Sequence, residues 1–389
     1  MERIIIIGGG IIGSSTAYHL AMAGLAQQTT VIEPDPLYEF AATPKSTGGI
    51  RVQFSVPENI RMSQYGHEFY GNFAQLMTVD GDAPEIGLHR PGYLYLGTGE
   101  DLSNVLIENQ RIQAAEGANV QLLDRHEIKS RFPSMEVEDI DVGAYSPHDA
   151  IIDPHAALMG LRKKAISLGV HYERDRVTHL EMRGTVVSKV HLEVGAPIQA
   201  EWVVNAANCW APKFCEQIGM PVPVAPLPRN TFYFECDSEL EPMPLTRHLG
   251  IAGSYRKEGR GYITGYTPYE QHAGFNWDVD YPAFDAVLWP NLAHRVKAFE
   301  SIKMVRAWAC HYDQNALDLN LIIGNRPGHV DNCFIACGLS GHGLQQAPAI
   351  GRALSELIIH GRYQTLDLSR FGYQRIIDNQ PLADRGPIS

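Results

Sequence analysis

The apolar positions of this chain fall in short blocks with distinct periods. Ile4, Ile5, Ile6 and Ile7 form a continuous β-branched run without alternation, the pattern of a parallel strand buried on both faces. Gly8-Gly9-Gly10-Ile11-Ile12-Gly13 follows at once, and Ser14 to Ala23 has helical composition until Gly24 stops it. A second apolar strand, Thr29-Thr30-Val31-Ile32, ends in Glu33. Together these predict a β-α-β unit of about 30 residues.

Downstream the pattern changes more than once. Ala41 to Gly49 is rich in small residues and reads as a loop, and a charged helical stretch runs from Pro57 to Met77. Pro91-Gly92-Tyr93-Leu94-Tyr95-Leu96 reads as a strand opening a more antiparallel region. A helix starts at Pro154 and runs to about Leu168, with Gly169 as its cap. Trp202-Val203-Val204-Asn205-Ala206-Ala207 is another buried strand. From Pro212 to Arg306, prolines at 221, 223, 226 and 228 and alternating segments such as Thr231-Phe232-Tyr233-Phe234 predict a mixed or antiparallel sheet. Cys333 to Gly338 is a strand that enters Gly338-Leu339-Ser340-Gly341-His342-Gly343, and a helix is expected from Ala347 to Ile359.

The expected fold class is therefore α/β combined with α+β. A Rossmann-like unit of the glutathione-reductase type, residues 1–80, 145–212 and 315–389, is interleaved with a mixed or antiparallel sheet unit, residues 81–144 and 213–314.

Composition narrows the partners. The 389 residues carry a formal net charge of −12, a surface that repels phosphate backbones and argues against nucleic acid. No apolar run reaches the ~18 residues of a membrane span. The first residues run straight into strand and glycines, so the expectation is a cytoplasmic protein. Cys209, Cys215, Cys236, Cys310, Cys333 and Cys337 contain no C-x-x-C pair, which fits a reducing compartment and gives no metal site.

The first glycine segment stands between a strand and a helix, where a G-x-G-x-x-G has a mechanism. Gly8 makes the tight turn, Gly10 lets the backbone approach a pyrophosphate, and Gly13 lets the helix pack on the sheet. The helix start, with Ile11 and Ile12, offers N–H groups to phosphate. Glu33, 20 residues past Gly13, suits a ribose diol and repels a 2′-phosphate.

Several segments, taken in order, resemble the D-amino-acid-oxidase-like FAD-dependent oxidoreductases, in particular the glycine oxidase and sarcosine oxidase branch. They are Gly8 to Gly13 with Glu33; Ser46-Thr47-Gly48-Gly49-Ile50-Arg51; Arg90 to Leu94; Asp153-Pro154; Val203 to Ala207; and Gly338 to Gly343. Asn208 departs from the usual glycine. The resemblance implies FAD as cofactor and hydride transfer from the carbon next to nitrogen to flavin N5, giving an imine that hydrolyses. It implies a small amine or amino acid as substrate: a secondary or N-substituted amine, or a D- or glycine-like amino acid. Oxygen or an electron-transfer protein or quinone would accept the electrons.

By the same resemblance Ser46, Thr47, Gly48 and Gly49 pass close to the ring, Val177 and Leu344 join the cofactor site, and Gly338, Gly341, His342 and Gly343 face the flavin pyrimidine edge. Arg51, His311 and Tyr312 are the implied pocket residues. Cys310 and Tyr312 have the Cys-x-Tyr spacing of sarcosine oxidases whose cysteine bonds the flavin, so covalent and non-covalent FAD both stay open. Two family lysines are replaced, by Gln345 and near Ile263, which removes positive charge and makes sarcosine a doubtful substrate. A non-catalytic FAD-binding assembly or scaffold protein of the same fold is the alternative, separated by whether any amine bleaches the flavin.

Overall fold

The isoleucine run forms β1 (Ile4–Ile7), followed by α1 (Ile11–Leu20) and β2 (Thr29–Ile32). The computed structural model describes residues 3–267, 272–382 and 384, so residues 1–2, 383 and 385–389 of the expected cofactor unit and 268–271 of the expected second unit lie outside the described residues. Gly24 has φ +87 and breaks the helix, as a residue without Cβ can.

Further along come α2 (Pro57–Gly71), β3 (Tyr93–Gly97), β4 (Gln121–Leu123), β5 (Val142–Ser146), α3 (Pro154–Ser167), β6 (His171–Glu173) and β7 (Trp202–Asn205). The expected single helix from Pro57 to Met77 is broken at Asn72, where φ is −104, and resumes at Phe73. The remainder is built from β8 (Val224–Cys236), β9 (Leu245–His248), β10 (Ser254–Glu258), β11 (Gly261–Tyr266), β12 (Ile302–Asn315), β13 (Ile322–Arg326), β14 (Val330–Cys337) and α4 (Gly343–His360).

Two large sheets carry the site. A six-stranded sheet has the order β13-β14-β7-β1-β2-β6, parallel except where β13 meets β14. All four residues of β1 are buried, consistent with helices covering one face and apolar packing on the other. The second sheet has eight strands in the order β12-β8-β11-β10-β9-β3-β5-β4 and is antiparallel except for the β9–β3 pair. Its two faces differ sharply. Leu94, Phe232, Phe234, Tyr255 and Tyr262 alternate into an aromatic core with Phe284 and Phe299. On the other face Tyr95, Thr231, Arg247, Ser254 and Gly265 line a cavity.

The proline-rich stretch is strand rather than loop. Pro226 and Pro228 pair with Asp313 and His311 on β12, and among the described residues β8 pairs with β11 from Asn230 onward. On the side away from β12 the Pro226 carbonyl accepts from the Gly274 N–H at 2.8 Å, and the proline there has no N–H to leave unpaired. Among the described residues no helix is long and apolar enough to cross a membrane.

Candidate active site

The glycine turn after β1 is held by its neighbours. Gly8 has φ +93, and a Cβ there would sit 2.8 Å from the Ala206 carbonyl oxygen. A Cβ on Gly13 would lie 1.9 Å from the Gly8 oxygen, so α1 can seat on β1 only with glycine at this position. Gly10 differs: a Cβ there meets nothing within 4 Å, because it opens on a cleft. Glu33 closes the turn from β2. Its carboxylate accepts from the Gly9 N–H at 2.8 Å and the Asp35 N–H at 2.9 Å. Burial raises its pKa, and these two donors oppose the shift.

The cleft has a volume of about 290 Å³ and runs from this turn across the carboxyl ends of the sheet. Gly8, Gly10, Ile11, Ile12, Glu33, Ser46, Val177, Cys310, Gly341, Gly343 and Leu344 all line it, so both glycine turns face one space. Gly13 and Gly338 do not line it: Gly13 packs the helix, and Gly338, φ +71, turns the chain out of β14. Arg176 and Lys213, which sequence reasoning passed over, add positive charge to the cleft wall.

The second turn is more tightly joined to its helix than expected. α4 begins at Gly343, not Ala347, so the turn donates directly from the helix's first residues. Ser340 and Gly341 have φ +47 and +92, and a Cβ on Gly341 would strike the Tyr312 ring at 2.7 Å. Asp313 ties the turn down by accepting from the Leu339 N–H at 3.1 Å. Asn208, in the left-handed region at φ +50 that asparagine tolerates, also hydrogen-bonds Asp313. The departure from glycine thus places a side chain that braces the turn.

Burial pushes the Asp313 carboxyl up to about 7, against the donors that favour its charged form. A carboxyl raised on folding contributes stability below its unfolded pKa and loses it as pH rises through about 7. The melting temperature of Asp313→Asn minus that of the native protein is therefore expected to grow from pH 4 to pH 8. A difference that stays flat over this range contradicts the assignment.

A second cavity of about 170 Å³ adjoins the cleft, and Ser46, Cys310, Tyr312, Gly341 and Leu344 line both. Thr47, Gly48, Gly49, Arg51 and His342 line this cavity alone. The glycines here answer first to the protein. A Cβ on Gly48 would lie 2.1 Å from the Ile152 oxygen and one on Gly49 1.6 Å from the Tyr93 hydroxyl. Close packing of the loop, rather than approach to a ring, is what demands them.

Arg51 is fixed on several sides. Its N–H donates to Gln345 Oε1 at 2.8 Å, its Nη1 donates to the Gln53 carbonyl, and its guanidinium lies 4.0 Å from the Phe54 ring centre. Nη2 is 3.4 Å from His342 Nε2. Burial, then Arg51, pull the His342 pKa well down, so its ring is neutral and can accept from Arg51. Tyr312 is half-buried, and desolvation raises its phenol pKa and holds it protonated. Cys310 stands beside it, its thiol pushed up to about 11 by burial despite Arg229 and Lys45, so the thiolate needed for covalent attachment is scarce.

His311, expected with Arg51 and Tyr312, stands apart from them. Strand alternation turns it to the other face of β12, where its Nε2 accepts from the Asn276 N–H at 2.8 Å and its ring packs 4.2 Å from that of Trp277. It borders the cleft and not the second cavity.

The charge missing at Gln345 and Ile263 returns from elsewhere. Ile263 is buried off the cavity, but Arg229 of β8 and Arg247 of β9 line it, with Lys45 and Arg51. Among the described residues no carboxylate lines it. Arg256, off the cavity, pairs with Glu258, and Arg306 lies over the Tyr233 and Trp308 rings.

The geometry fits an adenine dinucleotide carrying a broad ring. The open Cβ side of Gly10 leaves room for a diphosphate, the apolar cleft walls suit adenine, and the wall shared by both cavities lies against the helix donors of the second turn. A family model described as FAD dependent oxidoreductase (DAO) matches residues 3–357. The FAD-dependent oxidoreductase domain-containing protein 1 of Xenopus laevis is 35% identical, covering 99% of this chain and 84% of that protein. The mitochondrial sarcosine dehydrogenase of Mus musculus is 26% identical over 95% of this chain and 41% of its own length. Among solved structures, L-proline dehydrogenase from P. horikoshii superposes with a TM-score of 0.87 at 24% identity, covering 98% of this chain and 99% of that one. The chain belongs to the DAO family of FAD-dependent oxidoreductases, and it is a flavoenzyme whose cofactor is FAD.

Proposed function

We propose that the protein oxidises the C–N bond of a small anionic amine or amino acid, in the cavity that adjoins the cofactor cleft. The observation that carries this reading is the cavity wall itself: Tyr312 and Arg51 beside the second turn, with Arg229 and Arg247 lining the same cavity. FAD, when bound, takes up a hydride with both electrons from the carbon next to nitrogen, and water hydrolyses the resulting imine.

The chain's residues supply the rest. The first residues of α4 and the neighbouring Arg51 oppose negative charge at the shared wall. Arg229 and Arg247 hold the carboxylate of the substrate and so aim its amine-bearing carbon. The Tyr312 phenol, kept neutral by burial, serves as a hydrogen-bond donor rather than a base. No strong general base is needed if the amine reacts in its neutral form. We infer that FAD is held without a bond to Cys310, since the neutral thiol prevails there.

The test is anaerobic addition of N-methyl amino acids, D-amino acids and secondary amino diacids to the yellow protein. At least one is expected to bleach the flavin and yield a carbonyl product that hydrazine traps, and acid precipitation is expected to leave the flavin in the supernatant. A flavin untouched by every amine overturns the oxidation reading; flavin that stays with the precipitate overturns the non-covalent one.

A further inference from the structure

His311, left aside by the C–N chemistry, anchors a surface segment, residues 272–280. The Asn276 N–H donates to its Nε2 at 2.8 Å. On either side the Gly274 N–H donates to the Pro226 carbonyl at 2.8 Å and the Asp280 N–H to Asn230 Oδ1 at 3.0 Å. Between these points the segment presents two rings. Phe275 stacks on Trp210, with 5.2 Å between ring centres and 24° between planes, and Trp277 meets Phe40 edge-on at 5.0 Å. Phe275 and Trp277 are themselves near-parallel, 6.4 Å apart, and both pack on the His311 ring.

Those partners fix where the segment lies. Trp210 follows β7 and Phe40 follows β2, the two strands that flank β1 in the sheet. The glycine turn leaves β1 between them, and Phe40, Trp210 and His311 all line the cleft that starts at that turn. The row Trp210, Phe275, Trp277, Phe40 therefore joins two walls of the cleft like a strap. Phe275 and Trp277 do not line the cleft themselves; they hold residues that do. The contacts that close the strap are also of a kind that opens. Phe40 is 49%, Phe275 46% and Trp210 38% exposed, so they meet at the surface rather than in a core. Gly274 has φ +141, a bend that glycine takes without strain. Burial, with Lys45 adding to it, lowers the His311 pKa, so the ring is neutral and its Nε2 can accept from Asn276.

We propose that residues 272–280 are a gate on the cofactor cleft, closed by the Phe275–Trp210 and Trp277–Phe40 contacts and by the Asn276 bond to His311, and that FAD enters and leaves when this strap lifts. Its rings touch the walls and not the cleft space, so the gate sets how fast FAD exchanges and adds little to how tightly it is held. Loosening the strap quickens entry and exit together. The proposal does not depend on which substrate is oxidised. Its release measurement rests on FAD being held without a bond to Cys310, which acid precipitation checks separately.

Release of FAD from the loaded full-length protein is followed after rapid dilution by the fluorescence of the free cofactor, and its Kd by titration. Phe275→Ala and Trp277→Ala are each expected to release FAD roughly 10-fold faster, the scale of losing one aromatic pair, with a Kd within about 3-fold of the native value. In the native protein the Gly274 and Asn276 amides are expected to exchange with deuterium roughly 10-fold or more faster than the β8 and β12 amides they rest on, because the strap opens without the sheet. Native release rates in both variants overturn the gate. So does a Kd that rises in step with release, since the strap is then part of the binding wall. Strap amides that exchange no faster than those of β8 and β12 overturn it as well. Should the flavin stay with the acid precipitate, the non-covalent reading fails and the exchange measurement alone decides the gate.

Discussion

Gly10→Val is expected to give a folded protein with no yellow colour. The added carbons meet no protein atom within 4 Å of the Cβ position, so neither the turn nor the packing of α1 has to move. They project instead into the cleft where the diphosphate must approach the backbone. Flavin affinity is expected to fall by roughly 100-fold or more, the scale of losing the contacts of one charged group, with little change in the melting temperature of the flavin-free chain. Gly13→Ala is its counterpart. Its Cβ would be 1.9 Å from the Gly8 oxygen, so the helix must lift from the sheet. That variant is expected to lose both colour and stability, by about 1–3 kcal/mol as in other overpacked cores. Thermal denaturation of flavin-free protein separates the two: an unfolded Gly10→Val, or a Gly13→Ala as stable as the native chain, contradicts the assignment of clearance to Gly10 and packing to Gly13.

Arg51→Gln carries the second large expected effect. Arg51 is a cation beside the second turn, 3.4 Å from His342 Nε2, and His342 is neutral. It is therefore the side chain best placed to balance charge arriving at the ring's polar edge. Its removal is expected to slow anaerobic bleaching by roughly 100-fold or more, the size seen when one preorganised donor is lost. The flavin is expected to remain bound and its midpoint potential to become more negative. Arg51→Lys is expected to recover part of both, which a purely structural role would not do, because lysine restores the charge but not the planar contact with Phe54. Bleaching at the native rate in Arg51→Gln removes Arg51 from the reaction.

What could be read from the chain alone follows from how local each signal is. β1, the glycine turn, α1, β2 and Glu33 lie within 30 consecutive residues and carry their own punctuation, so their arrangement was legible. The second turn was legible for the same reason, although α4 starts earlier than expected because Gly343-Leu344-Gln345-Gln346 lacks an apolar stripe. The cationic cavity was not legible. Arg229 and Arg247 sit 18 positions apart on strands that are not neighbours, and which face they share depends on Phe232, Phe234 and Tyr255 choosing the aromatic core. Alternation in β8 and β9 could have marked both arginines as facing away from that core, but only once the strands were paired. His311 failed for a related reason: adjacency to Cys310 and Tyr312 in sequence means opposition across a strand.

The most direct measurement mixes the yellow protein, without air, with N-methyl amino acids, D-amino acids and secondary amino diacids, each once with hydrogen and once with deuterium on the carbon beside nitrogen. The expected result is loss of the flavin colour with at least one of them, several-fold slower with deuterium, because that C–H bond breaks in the step that reduces the cofactor. Colour that persists with all of them, in protein fully loaded with FAD, would contradict an amine-oxidising site and leave a flavin-holding scaffold in its place.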